Sequence, residues 1–188
     1  MARPKSDDKR QAIMAAAVRV IAAQGPGAPT AAIAKEAGVA NGSLFNYFAT
    51  KAELYNQLYL DLKAEAFRVA MDEMPAEADL RTQTFHLWSR WMNWAASSPE
   101  KRKAFAQICV ADDISPESRA QAGAAMAPIV ALIERVRAGG VLAGQPLPFV
   151  FAILESLSGA TMDFMIADPE HAQTHCKAGF EALWRAIA

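Results

Sequence analysis

The chain has 188 residues, of which 53% are apolar and 21% are charged, enough apolar side chains for a sizeable core. Its net charge of −1 argues against a protein that packages DNA regardless of sequence, because such proteins depend on a large positive excess. The sequence contains no run of about 18 uncharged apolar residues, so no membrane-spanning helix is predicted. The polar start of the chain does not look like a secretory signal. We therefore expect a cytoplasmic protein with no membrane contact.

The charge is unevenly distributed. Residues 1–54 carry seven Lys or Arg and four Asp or Glu, a net charge of +3, whereas the remainder carries twelve and sixteen, a net charge of −4. A positive end suits an N-terminal unit that faces a polyanion, although chance scatter of a few charges would give the same sign. The two cysteines, Cys109 and Cys176, form no CxxC pair and are interpreted as small buried hydrophobic residues.

The first elements are separated by glycine and proline. Residues 7–23 place apolar side chains at the spacing of one helix face. The helix ends in residues 25–29, because two glycines and two prolines in five residues cannot continue it. Thr30 is positioned to cap a short helix over residues 31–37, which Gly38 then terminates.

Two further helices follow that turn. A second short helix is predicted from about Asn41 to Phe48, and Thr50 caps a long helix over about 51–73. Glu53 lies at the third helical position and completes a partial capping box. Two short helices joined by a tight turn have the layout of a helix-turn-helix, whose second helix enters the major groove of DNA.

Five more helices are predicted beyond residue 74. They span about 77–97, 99–110, 116–138, 146–167 and 169–187. The first of the five is apolar on most sides, so we expect it to be the central helix of a second domain. The sequence therefore predicts an all-α protein of about nine helices, with a DNA-binding domain at 1–50 and a second helical domain at 51–188.

The most informative stretch is residues 33–54, which read IAKEAGVANGSLFNYFATKAEL. They resemble the signature of the tetracycline-repressor (TetR) family of bacterial regulators: Ile-Ala, Ala-Gly-Val, a small polar pair, an aromatic residue, Tyr-Phe and Lys-x-x-Leu. The resemblance covers about residues 10–55. It implies a homodimer that binds a double-stranded DNA operator with a helix-turn-helix and binds a small-molecule effector with its other helices.

Each position of the motif also has a physical interpretation. Gly38 supplies the positive φ that the turn requires. Seven apolar residues are expected to form the small core: Ile33, Ala34, Ala37, Val39, Leu44, Phe48 and Leu54. Nine residues are expected to face DNA: Thr30, Ala31, Asn41, Gly42, Ser43, Phe45, Asn46, Tyr47 and Lys51.

The expected DNA contacts differ in kind. Asn41 suits the N6 and N7 atoms of adenine, with a phosphate contact or a helix cap as the alternatives. Gly42 allows the backbone to approach the DNA closely. Tyr47 and Lys51 are phosphate contacts by resemblance; in an arbitrary helix they would be a half-buried aromatic residue and a solvated lysine. Phe45 stands where the family usually has Tyr, so one hydroxyl contact is absent.

Two further features are less regular. Ala40 replaces the usual Ser or Thr cap, which predicts a weakly started recognition helix. The basic residues Arg3, Lys5, Lys9 and Arg10 form either a flexible DNA-binding arm or a solvated tail.

By resemblance, the fourth to seventh helices enclose the effector. Eight residues are candidates for an apolar lining: Phe67, Met71, Trp88, Trp91, Met92, Phe105, Cys109 and Met126. Such residues in a helical domain are also often ordinary core. Because no basic cluster marks these helices, we expect an apolar or aromatic ligand.

The last two predicted helices are candidates for the dimer interface. Seven residues are expected there: Ser156, Gly159, Ala160, Phe180, Leu183, Trp184 and Ile187. The alternative is that the same face packs within one chain. His171 and His175 are spaced for a shared metal, but no acidic or cysteine partner is evident except Cys176, which points off that face, and we expect neither a metal nor another cofactor.

These features predict a repressor that a ligand releases from its operator. No nucleophile with a base, paired carboxylate or phosphate loop supports an enzyme. The alternative is a helical ligand-binding protein or enzyme that retains a vestigial helix-turn-helix.

Overall fold

The computed structural model describes residues 4–188, and its regular structure over that range is entirely helical, which confirms the predicted all-α class. Ten α-helices occur in chain order: α1 (Pro4–Gln24), α2 (Thr30–Glu36), α3 (Asn41–Leu44), α4 (Lys51–Met71), α5 (Leu80–Ser97), α6 (Pro99–Cys109), α7 (Pro116–Ala125), α8 (Ala127–Arg137), α9 (Leu147–Ala167) and α10 (Ala172–Ile187). One turn of 3₁₀ helix, Pro169–His171, precedes α10. Of the basic residues considered as an arm, Arg3 and the Lys5 side chain lie outside the described residues.

The chain divides into two compact units. The first comprises the described residues up to Ala64 and Ser98–Ala124, and the second comprises Glu65–Ser97 and Ala125–Ala188. This division departs from the expected boundary after residue 50, because α6 packs along α1 and its buried side chains belong to the same apolar cluster. Unit one therefore contains the helix-turn-helix together with α6 and most of α7.

Helix α1 is the centre of unit one. Most of its side chains from residue 13 to residue 22 are buried. The helix ends at Gln24, and the next residue, Gly25, has a φ of +84° in the left-handed region and donates its N–H to the carbonyl of Ile21 at 2.9 Å. In the loop that follows, the Pro26 carbonyl accepts a hydrogen bond from the buried Tyr55 hydroxyl of α4 at 2.9 Å. Burial raises the pKa of Tyr55 to about 12.

Two predicted helices need correction. The helix expected over 116–138 is two helices, α7 and α8, separated at Met126. Pro128 explains the separation, since proline has no N–H and is tolerated only in the first turn of a helix, where it lies in α8. The expected recognition helix is α-helical only from Asn41 to Leu44 and continues as a turn, with the Tyr47 N–H donating to Leu44 at 3.0 Å.

Helix α5 is the central helix of unit two, as predicted. It packs against α8, α9 and α10, and six of its side chains are buried: Gln83, Thr84, Trp88, Met92, Trp94 and Ala95. The Trp88 indole N–H donates to the Cys176 carbonyl of α10 at 2.9 Å. Both Trp88 and Met92 are almost fully buried.

The α10 side of the expected dimer interface is wrong at three positions. Phe180, Leu183 and Ile187 are at most 3% exposed, because α10 packs on α9 and α5 of the same chain. Trp184 is half-buried, with its ring 6.0 Å from that of Phe180. Helices α9 and α10 lie close together at Gly179, where an added Cβ would lie 2.2 Å from the Thr161 hydroxyl oxygen.

Helix α9 leaves much of its apolar surface uncovered. Phe149 is 50% exposed and Phe164 is 64% exposed. The expected interface residues Ser156 and Ala160 are also exposed, and Gly159 is half-buried. Among the described residues, α9 is the one helix long and apolar enough to cross a membrane by length and composition, with 22% of that window buried.

The histidine pair at the start of α10 shares the carboxylate of Asp168, an acidic partner that was not recognised from the sequence. His171 Nδ1 and His175 Nε2 each lie 3.0 Å from an Asp168 oxygen. These hydrogen bonds lower the pKa of Asp168, and the bond with His175 has the larger effect. Within residues 4–188, no group of three or more His, Cys, Asp or Glu side chains is arranged to hold a metal ion.

Candidate DNA-binding site

The turn between α2 and α3 is held by two backbone hydrogen bonds. The Gly38 N–H donates to Lys35 at 3.2 Å, and the Val39 N–H donates to Ala34 at 3.0 Å. This is the Schellman pattern that ends many helices, and it requires the left-handed φ of +68° found at Gly38. The predicted role of this glycine is confirmed.

Below the turn lies the predicted core of the helix-turn-helix. Ile33, Ala34, Leu44, Phe48 and Leu54 are all buried. Ala37 and Val39 are partly buried and pack against the same cluster. The core confirms the interpretation of the apolar positions in residues 33–54 and explains why α3 keeps its place although it is only four residues long.

The surface of this unit carries the residues expected to face DNA. None of the nine is buried: Ala31, Asn41, Gly42, Phe45 and Asn46 are exposed, and Thr30, Ser43, Tyr47 and Lys51 are half-buried. The Lys51 ammonium lies 4.9 Å from the centre of the Tyr55 ring, so an aromatic face supports its stem. An added Cβ at Gly42 would meet no atom within 4 Å, which leaves the backbone of α3 open to an approaching molecule.

The caps of the three helices differ from one another. At α4, Glu53 N–H donates to the Thr50 hydroxyl at 3.0 Å, which confirms Thr50 as the cap, and the Glu53 carboxylate accepts from the N–H of Ala49, one residue before the cap, at 2.8 Å, which makes the capping box partial, as predicted. At α2, Thr30 is wrong as the cap, because the extended Pro29 takes the N-cap position and Thr30 is already helical. At α3, Ala40 provides no side-chain cap, as its residue type predicts.

A polar notch lies beside α3. It has a volume of about 290 Å³, and residues from α1, from the turn and from the recognition helix line it. Its lining consists of Lys9, residues 38–40, Ser43, Asn46 and Tyr47. The sequence did not place Lys9 here, because it was interpreted as part of an arm or tail. The signal that could have found it is Pro4, a residue type favoured at the first position of a helix, and Pro4 does begin α1.

A second surface cavity, of about 330 Å³, lies between α5 and α10 in unit two. It is lined by Arg81, Thr82, Phe85, Lys177, Phe180 and Glu181. None of the eight residues expected to contact an effector lines this cavity or the notch. Those eight are divided between the units: Phe105 and Cys109 belong to unit one, and Phe67, Met71, Trp88, Trp91, Met92 and Met126 belong to unit two.

Comparisons with known proteins agree with this architecture. Residues 13–58 match the sequence model of the bacterial regulatory proteins, tetR family. A TetR-family transcription regulator from Shewanella sp. PV-4 is 31% identical, with 96% of this chain and 98% of that chain covered at a TM-score of 0.84.

Two more distant solved structures share the fold. A TetR-family regulator from Marinobacter aquaeolei VT8 is 21% identical, covers 99% of this chain and 98% of its own, and has a TM-score of 0.86. The TetR-like regulator LfrR from Mycobacterium smegmatis, in complex with proflavine, is 18% identical at a TM-score of 0.70, with 96% and 98% covered. The signature in residues 33–54, the Schellman turn and the full-length similarity lead to one conclusion: the chain belongs to the TetR family of bacterial transcription regulators.

Proposed function

We propose that this protein is a cytoplasmic, homodimeric repressor that binds an operator in double-stranded DNA and is released from it by a small apolar or aromatic ligand. The observation that carries the proposal is the geometry of residues 30–51. A buried core and a Schellman turn hold a short, exposed recognition helix, and the helix-turn-helix layout presents such a helix to the major groove.

The residues on this surface suggest a division of labour. Asn41 and Ser43 are exposed or half-exposed donors on α3 and suit base edges or phosphates. Tyr47 and Lys51 suit the phosphate backbone, where they would set the position of the protein on DNA without reading its sequence. Lys51 also begins α4, whose N-terminal dipole favours a negatively charged group.

The apolar face of α9 supports a homodimer. A contiguous exposed apolar surface on a soluble protein marks an interaction site, and most soluble oligomers are symmetric pairs of one chain. Phe149 and Phe164 lie far apart along α9, so a second copy would cover much of the helix. Ser156 and Ala160 between them are small enough for another helix to approach closely.

The ligand is the least constrained part of the proposal. Six of the eight candidate residues lie in unit two. LfrR, which has a similar fold, was solved in complex with proflavine, an aromatic molecule. Helix α4 begins at Lys51 in the proposed reader and ends at Met71, one of the candidates. A ligand that shifts α4 would alter the separation of two DNA-binding units and lower their joint affinity for an operator. No catalytic or cofactor role is proposed.

The test is a salt-titrated binding assay against the DNA that flanks the protein's own gene, with random-sequence competitor. Wild-type binding is expected to survive the competitor. Lys51→Ala is expected to weaken it and to reduce the slope of log affinity against log salt by about 0.9 for each subunit bound. Lys177→Ala removes the same charge from unit two and is the matched control. Equal effects of the two variants would contradict the assignment of the reader.

A further inference from the structure

The notch beside α3 has a composition that suits an anion. Its side-chain donors are the Lys9 ammonium, the Ser43 and Tyr47 hydroxyls and the Asn46 amide, and no carboxylate lines it. A site with one cation, several neutral donors and no acid is complementary to a negatively charged group that accepts hydrogen bonds.

The acidic residues nearby are directed elsewhere. Glu36 of α2 is paired with Arg19, whose Nε lies 2.6 Å from a Glu36 oxygen. Asp7 and Asp8 precede Lys9 in α1, but neither lines the notch, and residues one or two positions apart on a helix do not share a face. Lys9 therefore contributes a positive charge that no side chain in the lining neutralises.

The helix that carries Lys9 is anchored, although the Lys9 side chain itself is exposed. It lies in the second turn of α1, a helix whose later turns form the centre of unit one. The next residue, Arg10, lies over the Phe48 ring with its guanidinium carbon 5.1 Å from the ring centre. A lysine on a helix anchored in this way is confined to a smaller volume than a lysine on a flexible arm.

We infer that the notch holds a phosphate group of the DNA backbone, with Lys9 as a contact that neither the motif nor the family resemblance assigns. Ser43 lies on α3 and Asn46 lies two residues after its end, so a duplex engaged by the recognition helix passes the mouth of the notch. A volume of about 290 Å³ accommodates a phosphate with several waters, since each water occupies roughly 30 Å³. The inference rests on the proposed function, because it requires that this surface binds DNA.

The experiment measures the affinity of the full-length protein for a random-sequence duplex over a fourfold range of salt. Lys9→Ala is expected to reduce the slope of log affinity against log salt by about 0.9 for each bound subunit, as the loss of one phosphate contact requires. The loss in affinity should be the same for two unrelated duplexes, because a phosphate contact carries no sequence information. Lys9→Arg should restore most of the slope.

The controls separate the possible failures. Lys103→Ala removes the same charge from the exposed surface of α6 and should leave the slope unchanged. If wild type binds the duplex and Lys9→Ala has the same slope, the inference is overturned while the proposed function stands. If wild type binds no duplex at any salt, the proposed function itself fails.

A second measurement distinguishes DNA phosphate from free anion. Inorganic phosphate is titrated into the protein while the amide resonances of residues 38–47 are followed by NMR. Shifts that saturate at low millimolar phosphate, combined with a Lys9→Ala variant of unchanged DNA affinity, would assign the notch to a free anion and overturn the inference. The expected result is weak, non-saturating shifts and a clear effect of Lys9→Ala on DNA binding.

Discussion

Gly38 is the single residue on which the orientation of α3 most directly depends. Its φ of +68° lies in the left-handed region, which costs an L residue about 1–2 kcal/mol. Gly38→Ala is therefore expected to lower the free energy of unfolding by about that amount, although no atom lies within 4 Å of the added Cβ. Urea denaturation of the variant and wild type measures the difference, and equal stabilities would contradict the role given to the turn.

Gly42 provides a contrasting prediction four residues later. Its φ is not in the left-handed region and an added Cβ meets open space, so Gly42→Ala should fold with unchanged or slightly higher stability. The methyl group would nevertheless lie on the exposed surface of α3 and keep the backbone away from DNA. We expect weaker binding to duplex DNA by fluorescence anisotropy. An affinity equal to that of wild type would show that the DNA does not approach this position.

Sequence reasoning succeeded at residues whose conformation depends on their own type, and it failed where another residue determines the position or role. Gly38 and the Thr50–Glu53 capping box depend on atoms within a few residues, and both were predicted. Thr30 failed as a cap because Pro29 occupies the N-cap position in an extended conformation. Lys9 was not assigned to a site, because its neighbours in the notch lie about thirty residues further along the chain.

At the scale of elements, the capping box at α4 fixes where that helix begins and so where Lys51 lies. Thr50→Ala removes the hydroxyl that accepts the Glu53 N–H, and it should lower the free energy of unfolding by about 1 kcal/mol. Thr50→Ser keeps the acceptor and is the matched control. Thermal or urea denaturation measures both, and an effect of Thr50→Ala no larger than that of Thr50→Ser would count against the cap.

The contact between α9 and α10 depends on the absence of a side chain at Gly179. An added Cβ would lie 2.2 Å from the Thr161 hydroxyl oxygen, so Gly179→Ala should lower the free energy of unfolding by about 1–3 kcal/mol. Gly123→Ala in α7 adds the same methyl group to a helix with no atom within 4 Å, and it should be neutral or stabilising. If the two variants were equally stable by urea denaturation, the close approach would be refuted.

Most helices could be predicted because glycine and proline mark their ends, as at α1 and α9. The separation of α7 and α8 was missed, since the single helix predicted over 116–138 ran across Pro128, which begins a new helix in the structure. The face of α10 was recognised as apolar, but periodicity shows only that a face is covered, not what covers it. In the structure α9 and α5 of the same chain cover it, and the uncovered apolar surface lies on α9 instead.

At the scale of the whole molecule, that uncovered surface predicts how the proposed dimer is held together. Phe164→Glu places a charge in the apolar face of α9 and should shift the protein towards monomer, because an unpaired charge is costly to bury in an interface. Val141→Glu alters another exposed apolar side chain, in the loop before α9, and should leave the association unchanged. Sedimentation velocity over a range of concentrations measures both. A wild-type monomer, or a Phe164→Glu variant that remains dimeric, would contradict the proposed interface.

The central claim is that two copies of residues 30–51 read DNA together, and it is tested most directly by selecting bound sequences from a pool of random duplexes with the purified protein. The account predicts enrichment of a near-palindromic site, its two halves centred about 10 base pairs or a small multiple of that distance apart, as two recognition helices in successive major grooves require. Lys51→Ala should weaken binding to the enriched site and to random DNA by about the same factor, because a phosphate contact carries no sequence information. Bound DNA with no enriched sequence after repeated rounds would contradict the claim and would leave a helix-turn-helix that no longer reads DNA.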